Sequence, residues 1–274
     1  MAVITISRGT FSGGKYLAGI LAGRLGYRSF SREELLVLAA RRYAIPKYAL
    51  TAALDSKPGF PEGMNIKRIQ YIAYVRATLA KEVENDDVVY HGQVGHFLLS
   101  GIPNLLKVRV VAGKEYRIRA AMDQYQVKRD AAISIIRKID QDRSRWAEVM
   151  YQVDWEDLSQ YDLVVDIDTM SITEACDRII KTVRTDLKPT AESRRKMNDF
   201  VLATDIRARI AKHEAIHDDA IMIETNDGIV TIKGKADSAG EAHRIVETAR
   251  QTPGVKGVTS KLRVLEPAGV YAPG

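Results

Sequence analysis

A glycine-rich segment near the start of the chain combines residue types that bind phosphate groups. Residues 9–16 (GTFSGGKY) lie between an apolar run, Val3–Ser7, and the helical pattern of Lys15–Leu25. They nearly match the pattern G-x-x-x-x-G-K-S/T, in which glycines let backbone N–H groups turn inward and the lysine reaches the terminal phosphates. The helix N-terminus adds positive potential at the same place. We therefore predict a phosphate-binding loop formed by Gly9, Ser12, Gly13, Gly14, Lys15 and Tyr16.

The last position of this loop departs from the pattern. Tyr16 stands where a serine or threonine hydroxyl normally holds magnesium. Ser12 offers a hydroxyl inside the loop, and we assign the magnesium site to it. The alternative is a glycine-rich turn that only connects a strand to a helix. Strand, loop, lysine and helix follow one another in the order that phosphate binding requires, which favours the first interpretation.

The elements around the loop predict the sheet that positions it. Short apolar runs alternate with helical patterns through the first two thirds of the chain, which is typical of a parallel sheet wrapped by helices. The predicted strands are Val3–Ser7, Val88–His91, Leu106–Val111, Leu163–Asp166 and a short one at Tyr27–Phe30. The predicted helices are Lys15–Leu25, Arg32–Arg42, Ile66–Glu84, Val94–Ser100, Glu115–Gln126 and Ile172–Thr185. The fold class is therefore α/β, a doubly wound domain with the phosphate loop after its first strand.

Two serines mark helix starts within this domain. Ser31 with Glu34, and Ser171 with Glu174, have the spacing of capping boxes ahead of apolar runs. We expect both pairs to be structural, because each fixes the N-terminus of a helix.

The pattern changes near residue 190. Residues 186–197 contain Pro189, several charges and little apolar periodicity, which indicates a linker or an exposed helix start. Beyond them we expect helix, strand, strand, helix and strand, with Asn-Asp-Gly at 226–228 as a strong hairpin signal. The predicted elements are Phe200–His213, Ala220–Thr225, Ile229–Lys235, Ser238–Gln251 and Val258–Leu265. We place an α/β domain at residues 1–187, a linker at 188–197 and a small αββαβ domain at 198–268.

Composition restricts the class of protein further. The chain has 274 residues, of which 46% are hydrophobic, and a net charge of +6. These values exclude a disordered or disulfide-stapled protein, and the single cysteine, Cys176, fits a reducing compartment. No apolar window has the length of a membrane span and no secretory signal is evident, so we expect a cytoplasmic protein without a transmembrane segment.

The surplus positive charge lies in the first 195 residues, because Lys196–Pro267 holds 11 basic and 11 acidic residues. An excess of six charges is too small for a nucleic-acid-binding stripe, so we expect no nucleic-acid partner. It suits a cleft for a phosphorylated small molecule instead.

Several separated stretches resemble the cytidylate kinase-like family, relatives of the nucleoside monophosphate kinases, over residues 1–185. The stretches are ITISR at 4–8, SGG at 12–14, LGY at 25–27, FSRE at 30–33, VVYHGQ at 88–93, EYRI at 115–118 and YDLVV at 161–165. Each is weak alone, but their order and spacing together are specific. The resemblance implies transfer of the terminal phosphoryl group of ATP to a nucleoside monophosphate, with magnesium.

The resemblance also implies roles for residues outside the loop. Arg32 matches a position facing the acceptor monophosphate, and Arg117 matches one near the phosphates. Gln93 belongs to the acceptor side as well, although the family usually has an arginine there. Planar guanidinium groups suit these positions because each can hold a phosphate through two hydrogen bonds.

The basic stretch Lys128–Arg145 resembles the lid of the monophosphate kinases, whose arginines close over the phosphates and exclude water. In this chain Arg137 and Arg143 would be those arginines, with Asp140 between them to orient an arginine or a metal-bound water. The catalytic set implied by the resemblance is therefore Lys15, Arg117, Asp140 and Arg143. A solvated basic helix face is the alternative interpretation of this stretch.

Two departures from the family leave a second class of function open. Tyr16 offers no evident metal ligand, and Gln93 removes a charge from the acceptor side. The domain is either a nucleoside monophosphate kinase or a nucleotide-binding sensor or adaptor with weak turnover. Nucleotides are the expected ligands in both cases.

The C-terminal segment resembles a BON domain over residues 199–267. The matching stretches are DFVL at 199–202, NDGIVTIKG at 226–234 and GVKGV at 254–258. The resemblance implies a binding module that tethers or regulates the first domain, with a phospholipid surface or a protein as its partner. Its zero net charge argues against simple electrostatic attachment to a membrane, which needs clustered Lys and Arg.

Overall fold

A computed structural model describes residues 2–55, 66–85, 87–92, 95–151, 153–213 and 221–265. The first domain is a five-stranded parallel sheet in the order β2-β3-β1-β4-β5. Its strands are β1 (Val3–Arg8), β2 (Arg28–Ser31), β3 (Val88–Gly92), β4 (Leu105–Val111) and β5 (Leu163–Asp166). The five predicted strands are all present, and the α/β fold class is confirmed.

The described part of the first domain contains eight helices. They are α1 (Gly14–Leu25), α2 (Arg32–Tyr43), α3 (Lys47–Asp55), α4 (Ile66–Glu82), α5 (Gly95–Leu98), α6 (Lys114–Tyr125), α7 (Arg129–Tyr151) and α8 (Ile172–Asp186). The sequence analysis did not predict α3. Both predicted capping boxes are present: the Ser31 side chain accepts from the Glu34 N–H, and the Ser171 side chain accepts from the Glu174 N–H.

The central strand β1 is buried on both faces, which places the loop after it at the middle of the sheet. Ile4 and Ile6 point into a core shared with α1 and α8, where Leu17, Val165 and Ile179 are buried. A second core on the other face of the sheet contains Val3, Leu79, Tyr90 and Trp155. A strand that is buried on both faces appears in the sequence as a continuous apolar run. This explains why the segment VITIS at residues 3–7 correctly predicted β1.

The second domain contains a three-stranded sheet in the order β6-β7-β8, with strands Ile221–Asn226, Ile229–Ala236 and Gly257–Val264. The β6–β7 pair is antiparallel, and β8 runs parallel to β7. Asp227 and Gly228 both have positive φ, 47° and 80°, as the predicted two-residue hairpin turn requires. Helix α10 (Ala239–Arg250) covers one face, where Val230, Ile232 and Ile245 are fully buried.

A single long helix, α9 (Ala191–Ala211), joins the two domains. Thr190 caps it by accepting a hydrogen bond from the Ser193 N–H, so most of the predicted linker is helical. Met197 lies in the core of the first domain, whereas Ile206 and Ile210 lie in the core of the second. The helix is therefore a structural part of both domains.

Asp199 fixes the second domain to this helix. Its carboxylate accepts hydrogen bonds from the N–H groups of Asp227 and Gly228, at 2.9 and 3.2 Å, and its carbonyl accepts from the Thr225 hydroxyl at 2.6 Å. The hairpin turn is thereby held against α9. Among the described residues, no helix combines the length and the apolar character needed to cross a membrane.

Candidate phosphate-binding site

The loop between β1 and α1 leaves the first backbone N–H groups of α1 available to a ligand. Gly13 is the N-cap residue, with φ of 73°, and no side chain caps the helix. The first turn of α1 contains no acidic residue either. The orphan N–H groups and the positive end of the helix dipole therefore lie at the same place, which is an arrangement that binds anions.

Glycine is required at position 13 for two reasons. Its positive φ is strained for other residues, and a Cβ atom there would lie 2.9 Å from the hydroxyl of Tyr116 on α6. A Cβ at Gly14 would lie 2.7 Å from Cγ of Arg8. The loop backbone therefore lies in close contact with side chains that reach it from neighbouring elements.

The predicted loop residues occupy different positions around this backbone. The Ser12 side chain is 1% exposed and donates a 2.9 Å hydrogen bond to the Gly9 carbonyl, so it stabilises the loop from inside. The Gly9 N–H donates to the Val110 carbonyl at 2.9 Å, which ties the loop to β4. Lys15 is exposed, and Tyr16 is 67% exposed at the start of α1.

Two of the arginines assigned from sequence meet at the loop. Arg117 on α6 donates from Nε to the Thr10 carbonyl at 2.7 Å and pairs through Nη2 with Asp140 on α7. Arg143, one turn further along α7, donates to the Arg8 carbonyl at 2.9 Å and to the Thr10 hydroxyl at 3.0 Å. The structure therefore brings Arg117, Asp140 and Arg143 together on the phosphate loop.

Two other assigned residues are not brought into this group. Arg137 lies on the same helix, α7, but it is exposed to solvent. Gln93 lies outside the described residues.

Phe11 connects the loop to the helices that carry these arginines. It has a positive φ of 58° and packs against an apolar cluster of α6 and α7 that contains Ile118 and Ala132. Its ring also meets the edge of Tyr125, with 5.8 Å between centroids. Sequence analysis did not single out Phe11, although a large apolar residue in a loop of small and polar residues was a usable signal.

The site carries an excess of positive charge. Burial, together with the nearby cations Arg8, Arg109 and Arg32, lowers the pKa of Arg143 to about 10. Burial also lowers the pKa of Arg8, which the carboxylate of Glu33 at 3.9 Å offsets in part. A group of cations that repel one another in this way favours a polyanionic ligand.

The predicted acceptor side lies where β3 ends and α2 begins. Arg32 packs against Gly92, since a Cβ atom at Gly92 would lie 2.8 Å from Cβ of Arg32. His91 is buried beside them, and burial followed by the charge of Arg8 lowers its pKa to about 4. His91 is therefore neutral at physiological pH and adds no charge to the site.

Arg109 is a buried cation that the sequence analysis missed. It lies on β4, is 6% exposed, and donates from Nη1 to the Ser7 hydroxyl at 3.2 Å. Its Cζ atom lies 4.3 Å from the ring centroid of Trp155. In the sequence, Arg109 lies inside the predicted apolar strand Leu106–Val111. Only the folded structure shows that its side chain lies beside the phosphate loop.

The donors at this site fit the phosphate groups of a nucleotide better than they fit a bare metal ion. Helix N–H groups, Lys15 and arginines are all cationic or hydrogen-bond donors. In the described part of the chain, no three His, Cys, Asp or Glu side chains form a metal cluster. The Ser12 hydroxyl, to which we assign magnesium, is buried and donates a hydrogen bond to the Gly9 carbonyl.

A parallel sheet, a glycine loop at the N-terminus of α1 and arginines converging from α6 and α7 define a kinase-like P-loop protein. The model of the cytidylate kinase-like family matches residues 3–169, so the chain belongs to that family. The BON domain model matches residues 198–266, which confirms the C-terminal domain.

Solved structures match the first domain. An uncharacterized protein from Eubacterium ventriosum has 22% identity and a TM-score of 0.52, and the match covers 68% of this chain and 99% of that one. Shikimate kinase from Bacteroides thetaiotaomicron has 11% identity and a TM-score of 0.42, with 67% and 98% covered. The first likeness concerns the fold alone. No curated protein matches the chain.

Proposed function

We propose that the first domain transfers the terminal phosphoryl group of ATP to a nucleoside monophosphate of the cytidylate type. The observation that carries this proposal is the convergence of Arg117 and Arg143 on a loop whose helix N-terminus has no side-chain cap. Phosphoryl transfer asks the protein mainly to position two anions and to neutralise charge, and this site contains the groups to do both.

Each residue of the site then has a role in binding or positioning. The backbone of Gly9, Gly13 and Gly14 cradles the phosphate chain, and the exposed Lys15 reaches its terminal phosphate. Arg117 and Arg143 release the loop carbonyls and bind the transferred group, while Asp140 keeps Arg117 oriented. Closure of α7 brings Arg137 toward the nucleotide and excludes water.

Ser12 is the side chain that we assign to magnesium, which would supply charge neutralisation when bound with ATP. On the acceptor side, Arg32 and Gln93 hold the monophosphate. Because ATP is a cytoplasmic co-substrate, we place the reaction in the cytoplasm.

A coupled assay of ATP with a panel of nucleoside monophosphates tests this function. The Lys15→Ala variant removes the mobile charge from the terminal phosphate, so we expect a loss of turnover of at least about 100-fold, the size typical of one lost transition-state contact. Lys181→Ala, at an exposed position on α8, is the matched control and should behave as wild type. Equal turnover in the wild type and Lys15→Ala would remove the loop assignment.

The second candidate is a nucleotide-binding sensor with weak turnover. The buried Ser12 hydroxyl and the exposed Tyr16 favour it, since neither presents a metal ligand on the loop surface. Measurable ATP binding without transfer to any acceptor would select this candidate.

We propose that the BON domain binds an anionic lipid surface through the open face of its sheet. Val230 and Ile232 of β7 are buried, so the alternate residues of β7 lie on the opposite face. Lys233 lies opposite Lys261 of β8, and Lys235 lies opposite Arg263. Like charges at opposite positions repel, and a negatively charged surface would relieve that repulsion.

The basic residues on this face are clustered although the net charge of the domain is zero. Glu224 pairs with Lys233 at 2.6 Å, and among the described residues no carboxylate pairs with Lys235, Lys261 or Arg263. The domain is neutral in total but polarised in space, so its zero net charge does not prevent electrostatic attachment.

Co-sedimentation of the full chain with vesicles tests this binding. We expect binding to phosphatidylglycerol vesicles at low salt, weaker binding at high salt, and none to phosphatidylcholine vesicles. Lys261→Glu combined with Arg263→Glu should abolish it, whereas Lys181→Glu combined with Arg184→Glu on α8 should not. Absence of wild-type binding at low salt would retire the lipid proposal in favour of a protein partner.

A further inference from the structure

Arg109 carries a buried positive charge that the carboxylates of Glu156 and Asp140 attract only from beyond ion-pairing distance. Within the described part of the chain, no carboxylate lies within ion-pairing distance of its guanidinium group, and its Nε atom has no hydrogen-bond partner. Arg109 donates a hydrogen bond to the Ser7 hydroxyl, which also lies 3.2 Å from the Tyr161 hydroxyl. A guanidinium remains charged in proteins, so this arrangement costs stability in the ligand-free protein.

The position of this charge is specific. Arg109 pairs in register with Ser7, two residues before Gly9, at the end of the sheet where the phosphate loop begins. The neighbouring Gly9 N–H binds the carbonyl of Val110, the next residue of β4. The uncompensated cation therefore lies directly behind the loop that we assign to phosphate.

Trp155 links Arg109 to a second cation of the site. The Cζ atoms of Arg109 and Arg143 lie 4.3 and 5.8 Å from its ring centroid, within the range of cation–π attraction. Arg143 in turn donates to the Arg8 carbonyl and the Thr10 hydroxyl. The buried indole, 1% exposed, thus holds both guanidinium groups beside the loop despite their mutual repulsion.

We propose that Arg109 is a positioning residue whose counterion is the phosphate chain of the nucleotide bound at the loop. The charge acts through the protein interior, where screening is weak, and it supports Arg143 through Trp155. This inference rests on the proposed nucleotide site. It adds to that site a buried charge, that of Arg109, which attracts the nucleotide without contacting it.

Binding and stability should respond in opposite directions, which separates this role from a structural one. Arg109→Met keeps the volume and removes the charge. We expect about tenfold weaker binding of ATP and of inorganic tripolyphosphate, a change of about 1.4 kcal/mol. The melting temperature of the ligand-free variant should equal or exceed that of the wild type, because the buried unpaired charge is gone.

Arg109→Lys tests the charge itself. It should bind tripolyphosphate within about threefold of the wild type, since an ammonium group keeps the charge while losing the planar contact with Trp155. Arg184→Gln, which removes an exposed arginine on α8, should leave both affinity and melting temperature unchanged.

Isothermal titration of the full chain with tripolyphosphate and ATP decides between the outcomes. Weak binding by Arg109→Met with near-normal binding by Arg109→Lys supports the proposal when the ligand-free Arg109→Met variant melts at or above the wild-type temperature. Weak binding together with a lower melting temperature would show a structural role and overturn it. Equal affinities in the two variants, whether both normal or both weak, would overturn it. If the wild type binds neither compound, the proposed nucleotide site is wrong. If the wild type binds normally and the variants bind equally well, only the proposed role of Arg109 is wrong.

Discussion

Within the described chain, His96 is one of two buried histidines, with His91, that contribute to the pH response of the molecule. The His96 ring packs against those of Phe97 and Tyr161, with centroids 3.9 and 4.9 Å away, and both of its ring nitrogens are buried with no hydrogen-bond partner among the described residues. Burial, and then the charges of Lys107 and Arg109, lower the pKa of His96 to about 3. The folded protein therefore keeps this ring neutral throughout the range in which an unfolded histidine becomes protonated.

This difference predicts acid destabilisation between about pH 6.5 and pH 3. In that window the unfolded state binds a proton at His96 and the folded state does not, so stability falls as the pH falls. Between pH 7 and pH 5 we expect His96 to cost about 2 kcal/mol of unfolding free energy. Urea unfolding at both pH values measures this.

A matched pair of variants assigns the pH effect. His96→Phe retains the ring contacts without a titratable group, so it should lose less stability than the wild type on acidification. His243→Gln, at an exposed histidine of α10, should keep the wild-type response. An unchanged pH dependence in His96→Phe would refute the assignment to His96.

The sequence predicted those residues of the site whose role depends on local pattern. The loop 9–16 could be found because glycines, a lysine and a following helix are adjacent in the chain. Phe11 and Arg109 could not be assigned in this way, because their partners lie about 40 to 120 residues away on α6, α7 and the segment containing Trp155. Their roles arise from packing, which only the folded chain supplies.

At the scale of elements, α9 is the feature that departs most from expectation. Pro189 and the charges after it indicated a linker or an exposed helix start, and the Thr190 cap starts a helix there. The helix packs against α4 on one side and against the second sheet on another, so its apolar residues do not form one stripe. A helix with two buried sides gives a weak periodic signal, which explains why the sequence alone did not distinguish a linker from a helix start.

Met197 tests whether the first turns of α9 belong to the first domain. The side chain is fully buried in the core that contains Leu79 and Leu98, so Met197→Ala should destabilise the protein by about 2–5 kcal/mol. Arg194→Ala, one turn earlier and exposed, is the control and should change stability by less than about 0.5 kcal/mol. Denaturant unfolding of both variants gives the comparison, and equal stabilities would mean that α9 contributes little there.

At the scale of the whole molecule, the shared helix predicts that the two domains unfold together. Gln70 on α4 donates to the Ala211 carbonyl at the end of α9 at 2.7 Å, and Ala208 packs against Tyr74 and Ala77. Loss of either domain would expose one side of α9. We therefore expect a single calorimetric transition for the full chain, with equal calorimetric and van't Hoff enthalpies. Two resolved transitions would show that the domains unfold independently.

The position of strand β8 affects the tendency of the protein to aggregate in solution. Within the described chain the strand is one edge of the second sheet, and its last residue, Val264, and the following Leu265 are about half exposed. An unpaired edge with apolar side chains can recruit strands from other molecules, and lysine or arginine along it opposes that association. Lys261 and Arg263 therefore also guard against aggregation, so neutral apolar replacements there would risk filament-like assembly, whereas glutamate keeps the edge charged.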